Sequence, residues 1–100
     1  MGVSNPPSIP SSLPVGSKTV TTAGTAVALV AVSTPCSKVY MTAKDTNTGK
    51  IYWGNSSVSS TNGDYIFPAG KLSPIEIDDV SKIYIDAEIS GDGVKFTYLA

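Results

Sequence analysis

The chain has 100 residues, enough for one domain with a single hydrophobic core. It contains seven lysines and eight carboxylates, for a net charge of −1, and it has neither arginine nor histidine. These absences argue against specific nucleic-acid recognition, and they remove the commonest general base and the commonest metal ligand. The lone cysteine excludes an internal disulfide and a thiolate metal cluster.

No targeting or membrane segment is evident. The longest apolar run, residues 26–32, is far too short to cross a bilayer, and no basic region followed by an apolar run marks a signal peptide. We therefore expect a soluble chain made in the cytoplasm, with no membrane, nucleic-acid or cofactor partner.

Residues 1–15 are rich in proline, which lacks a backbone donor and fixes φ, so this segment cannot form a helix or an inner strand. It is either a disordered terminus or an extended arm that becomes ordered against a neighbouring subunit with little loss of entropy. The second interpretation gives these candidate interface residues: Pro6, Pro7, Ile9, Pro10, Leu13 and Pro14.

Residues 16–100 carry β-strand patterns. After a strand over Lys18–Thr22, the stretch Thr25–Ser33 is apolar on both faces, which predicts a central strand or one covered by another part of the chain or by another chain. Val27 and Leu29 are therefore candidate interface residues of a dimer or trimer.

The next strand, Lys38–Asp45, alternates apolar and polar residues, and a turn over residues 46–49 predicts a hairpin with Lys50–Trp53. On this register Tyr40 and Tyr52 face outward, as a platform for a sugar or a protein partner, or simply as aromatic pairs that stabilise the sheet.

Residues 54–63 form a surface loop of serine, asparagine and glycine, and a short strand over Asp64–Phe67 follows it. Pro74 within the strand Lys71–Asp78 then restricts that strand to an edge or a bulged position. The clearest hairpin is Lys82–Ala100, where the turn 90–93 places Ile89 opposite Val94 and Ile85 opposite Tyr98.

Seven or eight short strands separated by turns predict an all-β fold, an antiparallel β-sandwich of jelly-roll-like type, with an open barrel as the next candidate. The expected domains are an arm at residues 1–15 and a sandwich at residues 16–100. Asp86 and Glu88 share a strand face at a spacing that glycosidases use, but alternate acids are usually a solvated face. We therefore do not expect an enzyme.

Five stretches of turn and strand residues carry a further signal: Thr21–Ala26, Ser33–Cys36, Ala43–Gly49, Val58–Gly63 and Ile77–Asp86. Together they resemble small structural proteins of tailed-bacteriophage virions, which commonly decorate or cement the outside of the head. The resemblance runs from Val20 to the end and does not include the proline-rich segment.

This resemblance implies a capsid decoration or cement protein that binds the major capsid protein on the outer surface of the head. Its expected location is the virion, after synthesis in the host cytoplasm. The alternative is a head-fibre or tail-associated adhesion module that binds a host glycan.

Overall fold

The computed structural model describes residues 13–71 and 74–100. They form short strands, together with one 3-10 helix at Val80–Lys82 that is capped by Asp79. The strands are β1 (Val15–Thr19), β2 (Val27–Ala28), β3 (Lys38–Ala43), β4 (Ile51–Gly54), β5 (Asp64–Ile66), β6 (Ile75–Glu76), β7 (Tyr84–Ala87) and β8 (Gly93–Leu99).

The strands form two antiparallel four-stranded sheets. Sheet A has the order β1-β8-β3-β6, and sheet B has the order β2-β7-β4-β5. Two sheets with these orders are the arrangement of an eight-stranded jelly roll, in which the chain crosses repeatedly from one sheet to the other. The all-β sandwich predicted from the alternating pattern is confirmed, including its jelly-roll character.

The core lies between the inner faces of the two sheets. In β3, Val39, Met41 and Ala43 are buried while Tyr40 is exposed, so the predicted alternation is confirmed. From the other sheet, Ile51 and Ile85 are completely buried. Burial of such side chains supplies most of the free energy that opposes chain entropy.

Both predicted hairpins are wrong in their pairing. β7 pairs with β2 and β4 in sheet B, whereas β8 pairs with β1 and β3 in sheet A. Likewise β3 belongs to sheet A and β4 to sheet B. The turns 46–49 and 90–93 therefore carry the chain between sheets, because the glycine, asparagine and aspartate residues that suit a hairpin also suit a crossover.

The two crossover turns are tied to each other by buried polar groups. The Asp92 carboxylate accepts hydrogen bonds from the backbone N–H groups of Thr48 and Gly49 at 3.1 and 2.9 Å. The Asn47 amide donates to the Gly93 carbonyl at 2.8 Å and accepts from the Gly93 N–H at 2.9 Å. These bonds satisfy backbone groups that would be costly to bury unpaired.

The two-sided apolar stretch is not a central strand. β2 comprises two residues at the edge of sheet B, and residues 29–37 then cross to sheet A. Leu29 is only 2% exposed and lies in the core, and Val27 packs partly against it. The prediction of Leu29 as an interface residue is therefore wrong, because the apolar pattern has an explanation within one chain.

The predicted boundary between arm and sandwich lies close to the start of β1. Val15 pairs with Thr97, and the Pro14 carbonyl accepts a hydrogen bond from the Tyr98 N–H at 3.1 Å. The last residues assigned to the arm thus already belong to the sandwich, because Val15 is part of the edge strand β1 and both residues bond to the inner strand β8. β6, which follows Pro74, lies at the other edge of this sheet, as predicted.

Candidate functional site

The outer face of sheet B carries a cleft of about 420 Å³, which we call the sheet B cleft. This volume falls within the range of about 300–1,000 Å³ that is common for small-molecule sites. β4 and β7 supply its floor, and the segments before β2 and between β4 and β5 supply its walls. The lining residues are Ala23, Gly24, Tyr52, Ser60, Asp86, Ala87 and Glu88.

Asp86 is held rigidly at the floor of the cleft and is 2% exposed. Its Oδ1 atom accepts hydrogen bonds from the Gly24 N–H at 2.9 Å and from the Ala87 N–H at 2.8 Å. The prediction that Asp86 lies on a solvated face is wrong, because the segment containing Gly24 folds over this part of β7. Periodicity within one strand cannot reveal such a cover.

Tyr52 and Glu88 occupy the same outer face. Tyr52 lies directly opposite Asp86 in the β4–β7 ladder, which brings their Cβ atoms to about 5 Å. Glu88 is exposed, and its Oε1 accepts a hydrogen bond from the Lys50 N–H at 3.1 Å. Glu88 therefore does not pair opposite Lys95 as the predicted hairpin requires. The cleft thus offers one phenol ring and two carboxylates.

An aromatic row continues from the cleft to the edge of sheet B. Tyr65 on β5 lies opposite Tyr52, and its ring packs edge-to-face with Phe67 at 5.2 Å between centroids. The Lys50 ammonium lies 4.9 Å from the Tyr65 centroid, within cation–π range. Tyr65 and Phe67 are both exposed. The sequence prediction did not combine Tyr65 with Phe67, although their i, i+2 spacing on a strand places them on one face.

Sheet A has an outer face of different character, which we call the lysine face: Lys38, Tyr40, Thr42, Lys44, Lys71 and Lys95. Thr42 is flanked by Lys95 on one side and by Lys71 on the other. No described carboxylate lies within ion-pair distance of these four lysines, since the ion pair found among the described residues is Lys82–Asp78. The carboxylate of Glu76 lies on the same face, opposite Lys38, but the two lysines that flank Thr42 form no ion pair.

The structure separates the predicted aromatic platform. Tyr40 is on the outer face of sheet A and Tyr52 is on the outer face of sheet B, so the two rings cannot form one surface. Of the predicted arm interface, Leu13 is exposed and Pro14 is half-buried. The other predicted arm residues lie outside the described residues: Pro6, Pro7, Ile9 and Pro10.

A third polar cluster, around Asp79, is structural. The Asp79 carboxylate accepts hydrogen bonds from the Ser33 hydroxyl, the Thr34 N–H and both the N–H and hydroxyl of Ser81. These bonds hold the pKa of Asp79 well below its usual range, with the Ser33 hydroxyl as the largest cause. Nearby, burial and the Asp79 charge raise the pKa of the Cys36 thiol, which donates to the Ile77 carbonyl. The thiolate is thereby disfavoured.

Comparisons with protein-family models, with curated proteins and with solved structures found no match for this chain. Within residues 13–71 and 74–100, no helix is both long enough and apolar enough to cross a bilayer. No group of three or more potential metal-ligating side chains occurs among these residues either.

Proposed function

We propose that the chain is a bacteriophage capsid decoration protein that binds the outer surface of the head through the lysine face of sheet A. The observation that carries the proposal is the concentration of lysines without carboxylate partners around Thr42. A sheet face on which four lysines accompany one carboxylate, that of Glu76 opposite Lys38, suits an acidic protein surface, because complementary charges steer association and fix register. The partner is the major capsid protein, as the virion resemblance implies.

The position of β1 also supports capsid binding through the lysine face. β1 is an edge strand of sheet A, and exposed Val15 at its start shares a cross-strand row with Thr97 and Tyr40. The start of β1 therefore lies beside the lysine face. An arm that contacts the shell from this edge extends one continuous interface, and many such contacts on a symmetric shell add through multivalency.

The fold supports the proposal by analogy. Jelly-roll sandwiches recur in viral capsid and lectin domains, although this likeness is an analogy at the level of fold. Self-association as a dimer or trimer on the head is also part of the proposal.

Charge reversal on the lysine face tests the proposed contact. We expect Lys71→Glu combined with Lys95→Glu to weaken binding to heads that lack the chain by about tenfold or more, because like charges then face each other. Binding of the natural chain should also weaken as salt is raised. Co-sedimentation with heads of the encoding phage measures both effects.

Two matched controls accompany this experiment. The charge-conserving pair Lys71→Arg and Lys95→Arg should bind normally, and so should Lys50→Glu combined with Lys82→Glu, which has the same net charge as the reversed variant. Equal losses for both reversed pairs would show that net charge, and not the lysine face, controls binding. That result would contradict the proposed contact.

The function itself is tested by the copy number of the chain in purified virions, measured by quantitative mass spectrometry against the major shell protein. Decoration predicts hundreds of copies in a fixed ratio to the shell protein, because every equivalent shell position offers a site. Absence from the virion would reject the proposal.

A second candidate function is a head-fibre or tail-associated adhesion module that binds a host glycan. The sheet B cleft favours this candidate, because it combines an aromatic ring with hydrogen-bonding side chains. The same mass-spectrometric measurement separates the two functions, since a fibre or tail component is present in only a handful of copies.

A further inference from the structure

We propose that the sheet B cleft binds a neutral saccharide, with Tyr52 as the stacking platform and Asp86 and Glu88 as hydrogen-bond acceptors. The proposal deepens the second candidate function by naming a site and a ligand class. It does not depend on where the chain lies in the virion, because a decoration protein docked through sheet A turns sheet B away from the shell.

The charges in the cleft select the ligand class. Among the lining residues, two carry carboxylates and none is basic. Within the cleft an anionic ligand such as a phosphate or a uronic acid is therefore repelled, since the Lys50 ammonium lies outside the lining, over the Tyr65 ring. Neutral hydroxyl groups, in contrast, are donors that carboxylate oxygens accept readily, in hydrogen bonds stronger than those between neutral groups.

Asp86 is pre-organised to act as such an acceptor. Both backbone donors use Oδ1, and no described residue donates to Oδ2. The carboxylate cannot rotate without breaking two hydrogen bonds, so a ligand that uses Oδ2 meets a fixed partner. Pre-organisation of this kind lowers the entropy that binding costs. Because Asp86 is almost fully buried, its hydrogen bonds form in a medium of low dielectric constant.

Tyr52 and the small wall residues shape the cleft for a ring. Ala23 and Gly24 in the wall have little or no side chain, so this wall leaves room beside the half-buried Tyr52 ring and above the buried Asp86 carboxylate. A Cβ atom at Gly24 would meet no atom within 4 Å, so the space above this wall is open. The apolar C–H face of a sugar can lie against the phenol while its hydroxyl groups reach the acceptors.

The aromatic row suggests where a longer saccharide continues. Tyr65 lies one strand beyond Tyr52, and Phe67 contacts Tyr65 at the edge of the sheet. Strands are spaced by about 4.8 Å, so successive rings along this row are close enough to contact successive sugar units. On the other side of the cleft, the Ser60 hydroxyl from the β4–β5 loop adds a donor and an acceptor.

The test is a titration of the isolated full chain with methyl glycosides of neutral hexoses, 6-deoxyhexoses and N-acetylhexosamines, and with their disaccharides, at millimolar concentration. Amide chemical shifts in NMR spectra report the site. We expect at least one of these saccharides to shift the signals of Gly24, Tyr52, Ser60 and Ala87 in a saturable manner. Glucuronic acid should leave these signals unchanged.

Variants then assign the binding to the cleft. We expect Tyr52→Ala to weaken binding of that saccharide by about tenfold, a loss typical of an aromatic contact. Tyr40→Ala, which removes an exposed tyrosine from the opposite face, should bind as the natural chain does. Ser60→Trp, which fills the cleft from an exposed loop and leaves the sheet intact, should abolish binding.

Three results would overturn the proposal. The first is the absence of saturable shifts at the cleft with every saccharide in the panel. The second is equal binding by Ser60→Trp and the natural chain. The third is a response of the same signals to calcium chloride or putrescine alone, with none to saccharides, which would identify a cation site. None of these results bears on the virion copy number, so failure here and failure of the decoration proposal are distinguishable.

Discussion

Replacing Gly93 with alanine is expected to lower the free energy of unfolding by about 3 kcal/mol, because the new methyl group meets backbone atoms that cannot move aside freely. A Cβ atom at Gly93 would collide with the Lys18 carbonyl oxygen and would lie 2.9 Å from the Thr19 Cα. β1 must then move away from β8, and the hydrogen bonds between Gly93 and Asn47 are disturbed. Urea unfolding monitored by the single tryptophan measures the loss.

Gly54→Ala is the matched control for this substitution. A Cβ atom there would approach the nearest side chain, that of Val58, at 3.5 Å, which is an ordinary contact. Its effect should stay within about 1 kcal/mol, since alanine also restricts the unfolded chain. If Gly93→Ala and Gly54→Ala lower the free energy of unfolding by similar amounts, the close approach of β1 is not the reason that position 93 requires glycine.

The second large effect is expected at Ile85. Its side chain is fully buried between the sheets, and Ile85→Ala should cost about 2–5 kcal/mol from lost burial and the cavity left behind. Ile89→Ala removes the same atoms from a side chain that is 45% exposed, so it should cost less than about 1 kcal/mol. The same unfolding measurement compares the two variants.

This comparison also distinguishes the jelly roll from the hairpin that periodicity favours. In the hairpin, Ile85 and Ile89 share one buried face and both substitutions are costly. In the jelly roll, the chain leaves sheet B after Ala87 and Ile89 lies in the crossover. Equal destabilisation by Ile85→Ala and Ile89→Ala would therefore contradict the observed topology.

The sequence was informative about faces and turns because these depend on neighbouring residues. The alternation in β3 correctly predicts that Val39 and Met41 are buried and Tyr40 is exposed. Pro74 correctly indicates an edge strand, since β6 lies at the edge of sheet A. Pairing was not predictable in the same way. The turn at residues 90–93 has the composition of a hairpin loop, but Asp92 bonds to the distant turn at residues 46–49, and no local pattern encodes that contact.

The candidate site shows the same division. Tyr52 was expected to face outward, and it does so in the cleft. Its partner was misjudged, because Tyr40 belongs to the other sheet and sheet membership is set by pairing across the whole chain. Asp86 appeared solvated for a similar reason. Asp86 is covered by the segment containing Gly24, which is far away in sequence. This segment comes next to β7 only when the whole sandwich has formed.

The jelly-roll order has a consequence for how the chain acquires its structure. Among the eight strands, only β4 and β5 are both consecutive in sequence and paired with each other. Nearly all ladders therefore require the closure of long loops before any hydrogen bond compensates for the lost entropy, and topologies of this kind fold slowly. β8 pairs with both β1 and β3, so sheet A is complete only when β8 is in place. Until then β1 has no ladder partner and β3 pairs only with the two-residue strand β6, so the β4–β5 hairpin is the one local ladder available as a nucleus.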